Sequence, residues 1–303
     1  MRHLFLTGAR RLLALAMLPI LAACSQPDIR PGFVENAKAL DPQTFECCFD
    51  PEKFYPEPVA RLALAIGNDV GPMASQAAYG DYEAGEFPGR LTGKADAQAG
   101  LLSRLRPLDI LLTGNASYTV GRLMPGRFSH SAVYLGTEAQ LRAAGLWNLP
   151  EMRPLQAGIR EGKTIIESAW PAVALISPEK FLEVDRVLAI RPALSAADKR
   201  GSASRLAAAI GTPFNYALAL DPTLERFVCT GLLHHSLQAI DFNEREAYGA
   251  TVLFPDDIAA QAIRGEQMKV IAYVLGNDGP GFTFRSTYAL MVDIAAFWGF
   301  GEA

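Results

Sequence analysis

The stretch Phe227-Val228-Cys229-Thr230-Gly231-Leu232-Leu233 places one cysteine between an apolar run and the first turn of a predicted helix, Thr230 to Ala239. A sulfur at that junction meets the positive end of the helix dipole and backbone N–H groups that have no partner inside the helix. Both favour thiolate over thiol. A cysteine in apolar surroundings is also commonly an inert packing residue, so Cys229 gains chemical meaning only if the chain supplies a base and an acid to serve it. Two segments offer them. Ser129-His130-Ser131-Ala132-Val133-Tyr134-Leu135-Gly136 alternates as a strand with His130 at its entry, and Lys163-Thr164-Ile165-Ile166-Glu167-Ser168-Ala169 is a strand whose apolar run is broken by Glu167. A carboxylate on a half-buried strand is costly unless paired. The competing expectations are an edge strand that leaves Glu167 in water and a local hydrogen bond for His130.

Around these segments, Asp109 to Thr113, Val187 to Arg191 and Lys269 to Leu275 predict three more strands, with antiparallel pairing through loops. Helices are expected over Val59 to Tyr79, where Gly67 and Gly71 weaken the middle, and over Ala95 to Leu105, stopped by Pro107. Thr137-Glu138-Ala139-Gln140 and Ser195-Ala196-Ala197-Asp198 have the form of helix starts in which side chain and backbone cap each other. Tyr288 to Phe300 is apolar apart from Asp293 and lacks the basic face of an interfacial helix, which favours packing against a core or partner.

The N-terminus predicts export. Arg2, Arg10 and Arg11 precede the apolar core Leu12 to Leu21, which is too short to span a bilayer as a mature helix. The core ends in Leu21-Ala22-Ala23-Cys24, the pattern that precedes the acylated cysteine of bacterial lipoproteins. Cys24 is therefore expected to carry lipid, with 1–23 as signal peptide and 24–36, bearing Pro27, Pro31 and Gly32, as tether. Ser25 after the cysteine favours the periplasmic face of the outer membrane. The chain holds 28 basic and 32 acidic residues, a net charge of −4, and loss of the three arginines in 1–23 takes it to −7. No basic stripe is left to neutralise phosphates, which argues against nucleic acid as partner.

With 50% apolar residues the chain can bury one large core. Of its four cysteines, Cys24 is assigned to lipid and Cys47-Cys48 are adjacent. That pair is compatible with a vicinal disulfide, reduced burial or a link to another chain. Cys229, His234 and His235 are close in sequence, but a helix turns the two histidines away from a common face with the cysteine, so no metal site and no cofactor is expected.

Three segments together resemble a family. Asp109 to Gly136 with Ser129-His130, Thr164 to Ala169 with Glu167, and Ile210 to Leu233 with Cys229 are similar to the circularly permuted relatives of the NlpC-type cell-wall hydrolases, the YiiX/YebB-like group. There the histidine strand and the acid strand precede the cysteine helix, and the order His130, Glu167, Cys229 fits. Leu253-Phe254-Pro255-Asp256-Asp257-Ile258 resembles the family's Pro-Asp helix start. Leu108, Phe214, Asn215, Val228 and Gly231 depart from its usual residues, and the resemblance covers about half of the chain.

It implies an α+β, papain-like fold, a small antiparallel sheet packed on the cysteine helix in a catalytic domain over 106–278, to which the residue patterns add a helical cap over 37–105 and the apolar segment 279–303 at the end. It also implies a cysteine hydrolase or acyltransferase in which Cys229 attacks an amide or ester, His130 takes its proton and Glu167 orients the imidazole. The expected partners are the membrane, through the lipid on Cys24, and an envelope lipid or peptidoglycan substrate. The alternative is a non-catalytic envelope lipoprotein that uses the same fold as a binding platform.

Overall fold

The computed structural model describes residues 40–47, 52, 55–79, 88–115 and 126–298. Cys24, the signal peptide and the tether lie outside the described residues. Among those described, no helix is long and apolar enough to cross a membrane.

The fold is α+β, built on a seven-stranded sheet in which every neighbouring pair is antiparallel. Its strands are β1 (Asp109–Gly114), β2 (His130–Tyr134), β3 (Ile165–Ser168), β4 (Val173–Ile176), β5 (Arg186–Pro192), β8 (Met268–Gly276) and β9 (Phe282–Arg285), in the spatial order β4-β3-β2-β1-β5-β8-β9. A separate hairpin pairs β6 (Arg245–Ala247) with β7 (Ala250–Val252), turning at Tyr248 and Gly249, whose φ angles are 54° and 80°. A two-residue turn with both residues left-handed matches the twist of a hairpin, and glycine makes the second position easy.

Both faces of the sheet are covered. On one, Ile110, Leu112, Val133, Ile166 and Leu188 pack with Leu232 and Leu233 of α7 (Cys229–Ser236), Ile258 of α8 (Pro255–Arg264) and Ile294 of α9 (Thr287–Trp298). On the other, Leu111, Ala132, Ile165 and Val187 meet Leu101 of α2 (Ala95–Leu102) and Phe181 of α5 (Pro178–Phe181). Two-sided burial is why β1 reads as a continuous apolar run with every residue buried.

The remaining helices are α1 (Glu57–Tyr79), α3 (Glu138–Ala143), α4 (Gln156–Arg160) and α6 (Ala196–Ala208). The reciprocal caps read from the sequence are present at Thr137 with Gln140 and at Ser195 with Asp198. In α1 the two glycines have a packing reason. A Cβ at Gly67 would stand 2.6 Å from the Tyr216 carbonyl oxygen, and one at Gly71 would collide with the Tyr216 ring. The helix gives up propensity at both positions so that the segment before α7 can lie on it.

The apolar C-terminal stretch forms α9, with Leu290, Met291, Ile294 and Ala295 fully buried in the main core, and Asp293 accepts a 2.9 Å hydrogen bond from the Tyr273 hydroxyl. β4 and β9 escape recognition from sequence. Each has four residues, and β9 is largely exposed, so neither presents a periodic apolar signal. The presence of β4 changes the reading of Glu167: β3 has a partner on each side and is not an edge strand.

Candidate active site

His130 opens β2 and Glu167 lies on β3, and the two strands pair in the register Ala132 to Glu167. Extending that register puts Glu167 on the same face as His130 and diagonal to it, close enough for a long side chain to span. His130 Nε2 and Glu167 Oε2 are 2.7 Å apart, with 27% and 14% of their side chains exposed. The pairing spans the α3 and α4 insertion between the two strands, so a contact across 37 residues of chain is made by sheet register.

Cys229 is the first residue of α7, 3% exposed, and α7 packs on β2 and β3. Val228 at the N-cap offers no side-chain hydrogen bond, so the first-turn N–H groups are free of a cap and available to an anion. With Nε2 committed to Glu167, Nδ1 is the imidazole nitrogen left to serve the sulfur. Burial alone would lower the His130 pKa, but hydrogen bonds to Cys229 and Glu167 and the charges of both outweigh it and hold the imidazole up at about 10. Burial pushes the Cys229 thiol up. The hydrogen bond and positive charge of His130, with a smaller contribution from Ser131, overcome that and bring it below its ordinary value. The two groups titrate as a pair, and the direction of both shifts favours thiolate with imidazolium. The Ser131 hydroxyl is fully buried and makes no hydrogen bond among the described residues, to sulfur included, so its influence on Cys229 is that of a neighbouring dipole.

Two supports of this arrangement are made by contacts between distant parts of the chain. The Ser168 hydroxyl, next to Glu167, donates a 2.6 Å hydrogen bond to the Phe227 carbonyl. Phe227 in turn bridges to Phe214, donates to the Pro213 carbonyl and accepts from Asn215 N–H, so the chain entering α7 is fixed from both sides. The second is Asp256 at the start of α8, fully buried, which accepts from Arg127 N–H at 2.6 Å, from Phe128 N–H at 2.8 Å and from Trp298 Nε1–H at 2.8 Å. It thereby holds the two residues that lead into Ser129 and His130. Burial raises its pKa to about 6 against the lowering effect of these donors. Leu253 to Ile258 points to a helix start here, but nothing within the segment points to the loop it grips.

Asn215 also has a structural place. Its side chain donates to the Ala219 carbonyl and accepts from Ala217 N–H and from Asn68 of α1. The paired histidines lie elsewhere: His234 is 2.7 Å from Glu244, and the His235 ring packs on Phe227 with centroids 5.0 Å apart. Among the described residues no group of three or more His, Cys, Asp or Glu could hold a metal ion. Among the described residues, Cys47 is buried and disulfide-bonded and Cys229 is a free thiol.

Comparisons with protein-family models, with curated proteins and with solved structures each find no match to this chain. The chemistry of the site therefore rests on its own geometry.

Proposed function

We propose that the chain is a thiol hydrolase or acyltransferase acting on an amide or ester bond, with Cys229 as nucleophile, His130 as proton carrier and Glu167 as the acid that orients the imidazole. The observation that carries this reading is the 2.7 Å contact of His130 Nε2 with Glu167, which leaves the other ring nitrogen to a cysteine at a helix start. The fold is read as the circularly permuted, papain-like arrangement of NlpC-type enzymes. A lipid on Cys24 would hold it at the cell envelope, within reach of acyl lipids and peptidoglycan peptides.

In this reading His130 holds the proton of Cys229, and the thiolate attacks the substrate carbonyl. Charge developing on the carbonyl oxygen meets the uncapped N–H groups at the start of α7, beginning with that of Cys229. His130 protonates the departing amine or alcohol, and Glu167 stabilises the imidazolium between these steps. A water, deprotonated by His130, or an acceptor group then releases the acyl chain from sulfur.

The test is to expose the purified protein to envelope lipid and muropeptide extracts and to search Cys229 for an acyl adduct by mass spectrometry, with His130→Ala alongside. An adduct confined to Cys229 and lost in His130→Ala supports the reading. An unmodified Cys229 that still retains a component of the extract supports the binding-platform alternative.

A further inference from the structure

Three residues before His130 lies Arg127, and beside it lies Arg186, the first residue of β5. Arg186 Nη1 donates to the Arg127 carbonyl at 2.9 Å, and the two guanidinium groups are close enough to repel. Arg186 is only 8% exposed. The Nε–H of Arg186 and that of Arg127 are both buried, and neither has a hydrogen-bond partner among the described residues.

A buried cation normally has a carboxylate in contact with it, because an unpaired buried charge is costly. Asp185 and Asp293 act on Arg186 through their charges, and each also holds a hydrogen bond elsewhere. Asp293 accepts from the Tyr273 hydroxyl at 2.9 Å, and Asp185 accepts from Arg90 N–H at 2.9 Å. Burial first, and then the Arg127 charge, lowers the Arg186 pKa to about 10. Gly114 at the end of β1 allows the arrangement, since a Cβ there would stand 2.6 Å from the Arg127 carbonyl oxygen and 2.8 Å from Arg186 Nη1.

The pair sits at the end of the sheet that carries the thiol site. Thr113 of β1 pairs with His130 on one side and with Val187, the neighbour of Arg186, on the other. Two strand spacings, about 10 Å, separate Val187 from His130, and Arg186, one residue earlier, turns its side chain to the other face of the sheet, the one on which Leu112 and Leu188 pack with the helix of Cys229.

We propose that Arg127 and Arg186 form an oxyanion-binding subsite beside the thiol, which takes a phosphate or carboxylate group of the substrate. A guanidinium offers a planar fork of donors that matches either group, and an anion between two such forks would supply the partners both Nε–H groups lack. The proposal rests on the thiol-hydrolase reading for its substrate. It narrows that substrate to an amide or ester that also carries a phosphate diester or a carboxylate.

Binding is measured apart from turnover. The melting temperature of the full chain is followed in sodium phosphate, dimethyl phosphate or acetate, matched in ionic strength with sodium chloride. We expect at least one probe to raise Tm by about 3 °C at ten times its half-saturating concentration. The rise should vanish in Arg186→Met, which keeps the bulk of the stem, and in the milder Arg127→Gln. A response to dimethyl phosphate identifies a phosphate diester, and a response to acetate a carboxylate. No rise beyond that in chloride, or a rise retained in either folded variant, overturns the subsite. If Arg186→Met does not fold, Arg127→Gln decides alone. An inert Cys229 would leave the anion response in place, so failure of the thiol reading and failure of the subsite give different results.

Discussion

The Ser168 hydroxyl donates a 2.6 Å hydrogen bond to the Phe227 carbonyl, so the strand that carries Glu167 also grips the chain two residues before Cys229. The acid and the nucleophile are thus positioned by one element. Ser168→Ala removes one of the two donors to this carbonyl, which keeps the Asn215 N–H, and should destabilise the fold by about 0.5–1.5 kcal/mol. Denaturant unfolding measures that loss. Alkylation of Cys229 in the folded variant should slow as well, whereas an unchanged rate would mean that the grip has no bearing on the thiol.

Glu167→Gln should fold normally, because the amide is close in shape and β3 is held by partners on both sides. Turnover should fall by roughly two to four decades, less than in Cys229→Ala, since the imidazole loses the charge that stabilises its protonated form. Steady-state kinetics on any substrate found for the site reads this directly. Near-normal turnover would take Glu167 out of the mechanism.

The opposite shifts of Cys229 and His130 predict a distinctive pH profile. Cys229 lies below its ordinary value, so alkylation by iodoacetamide should remain fast well below the pH ~8.5 at which a free thiol titrates. His130 is raised from 6.5 to about 10. Its contribution to stability is therefore fully present below pH 6.5, declines above that, and is lost as the pH passes about 10. The stability gap between the parent and His130→Gln should narrow steadily over that window in urea melts, and a flat gap would contradict the pairing.

Asp256 carries a shift of the other sense. Its pKa is raised from 3.8 to about 6 by burial, so between those values the folded state holds more protons than the unfolded one. By linkage this residue's contribution to stability falls as the pH rises through that range. Asp256→Asn should remove this component of the pH dependence. It should also loosen the 126–128 turn, because one amide oxygen cannot accept from Arg127, Phe128 and Trp298 as the carboxylate does. The readouts are urea melts at pH 4 and pH 7 and a slower alkylation of Cys229. A variant with the parent's pH dependence would remove Asp256 as its source.

Much of the local structure was legible because its causes are local. The strand holding Val133, the caps at Thr137 and Ser195, and the start of α7 at Cys229 each follow from near neighbours in the chain. The three candidate residues were also readable, as a cysteine at a helix start, a histidine at a strand entry and an acid interrupting an apolar strand. Gly67 and Gly71 look like weaknesses of α1 in the sequence because their reason, the ring and carbonyl of Tyr216, lies more than 140 residues further along the chain.

By itself, then, the sequence determined which residue types stand at the ends of which elements, since propensity, capping and side-chain period act over a few residues. Only the tertiary structure decided that β3 lies inside the sheet, that its register brings Glu167 to His130, and that Ser168 and Asp256 clamp the two approaches to the site. It also decided that Arg127 and Arg186 share one end of the sheet, with the Nε–H of each buried and unpartnered among the described residues. These relations depend on strand order and on side chains that meet across distant parts of the chain, and no periodicity within a segment encodes which strand becomes its neighbour.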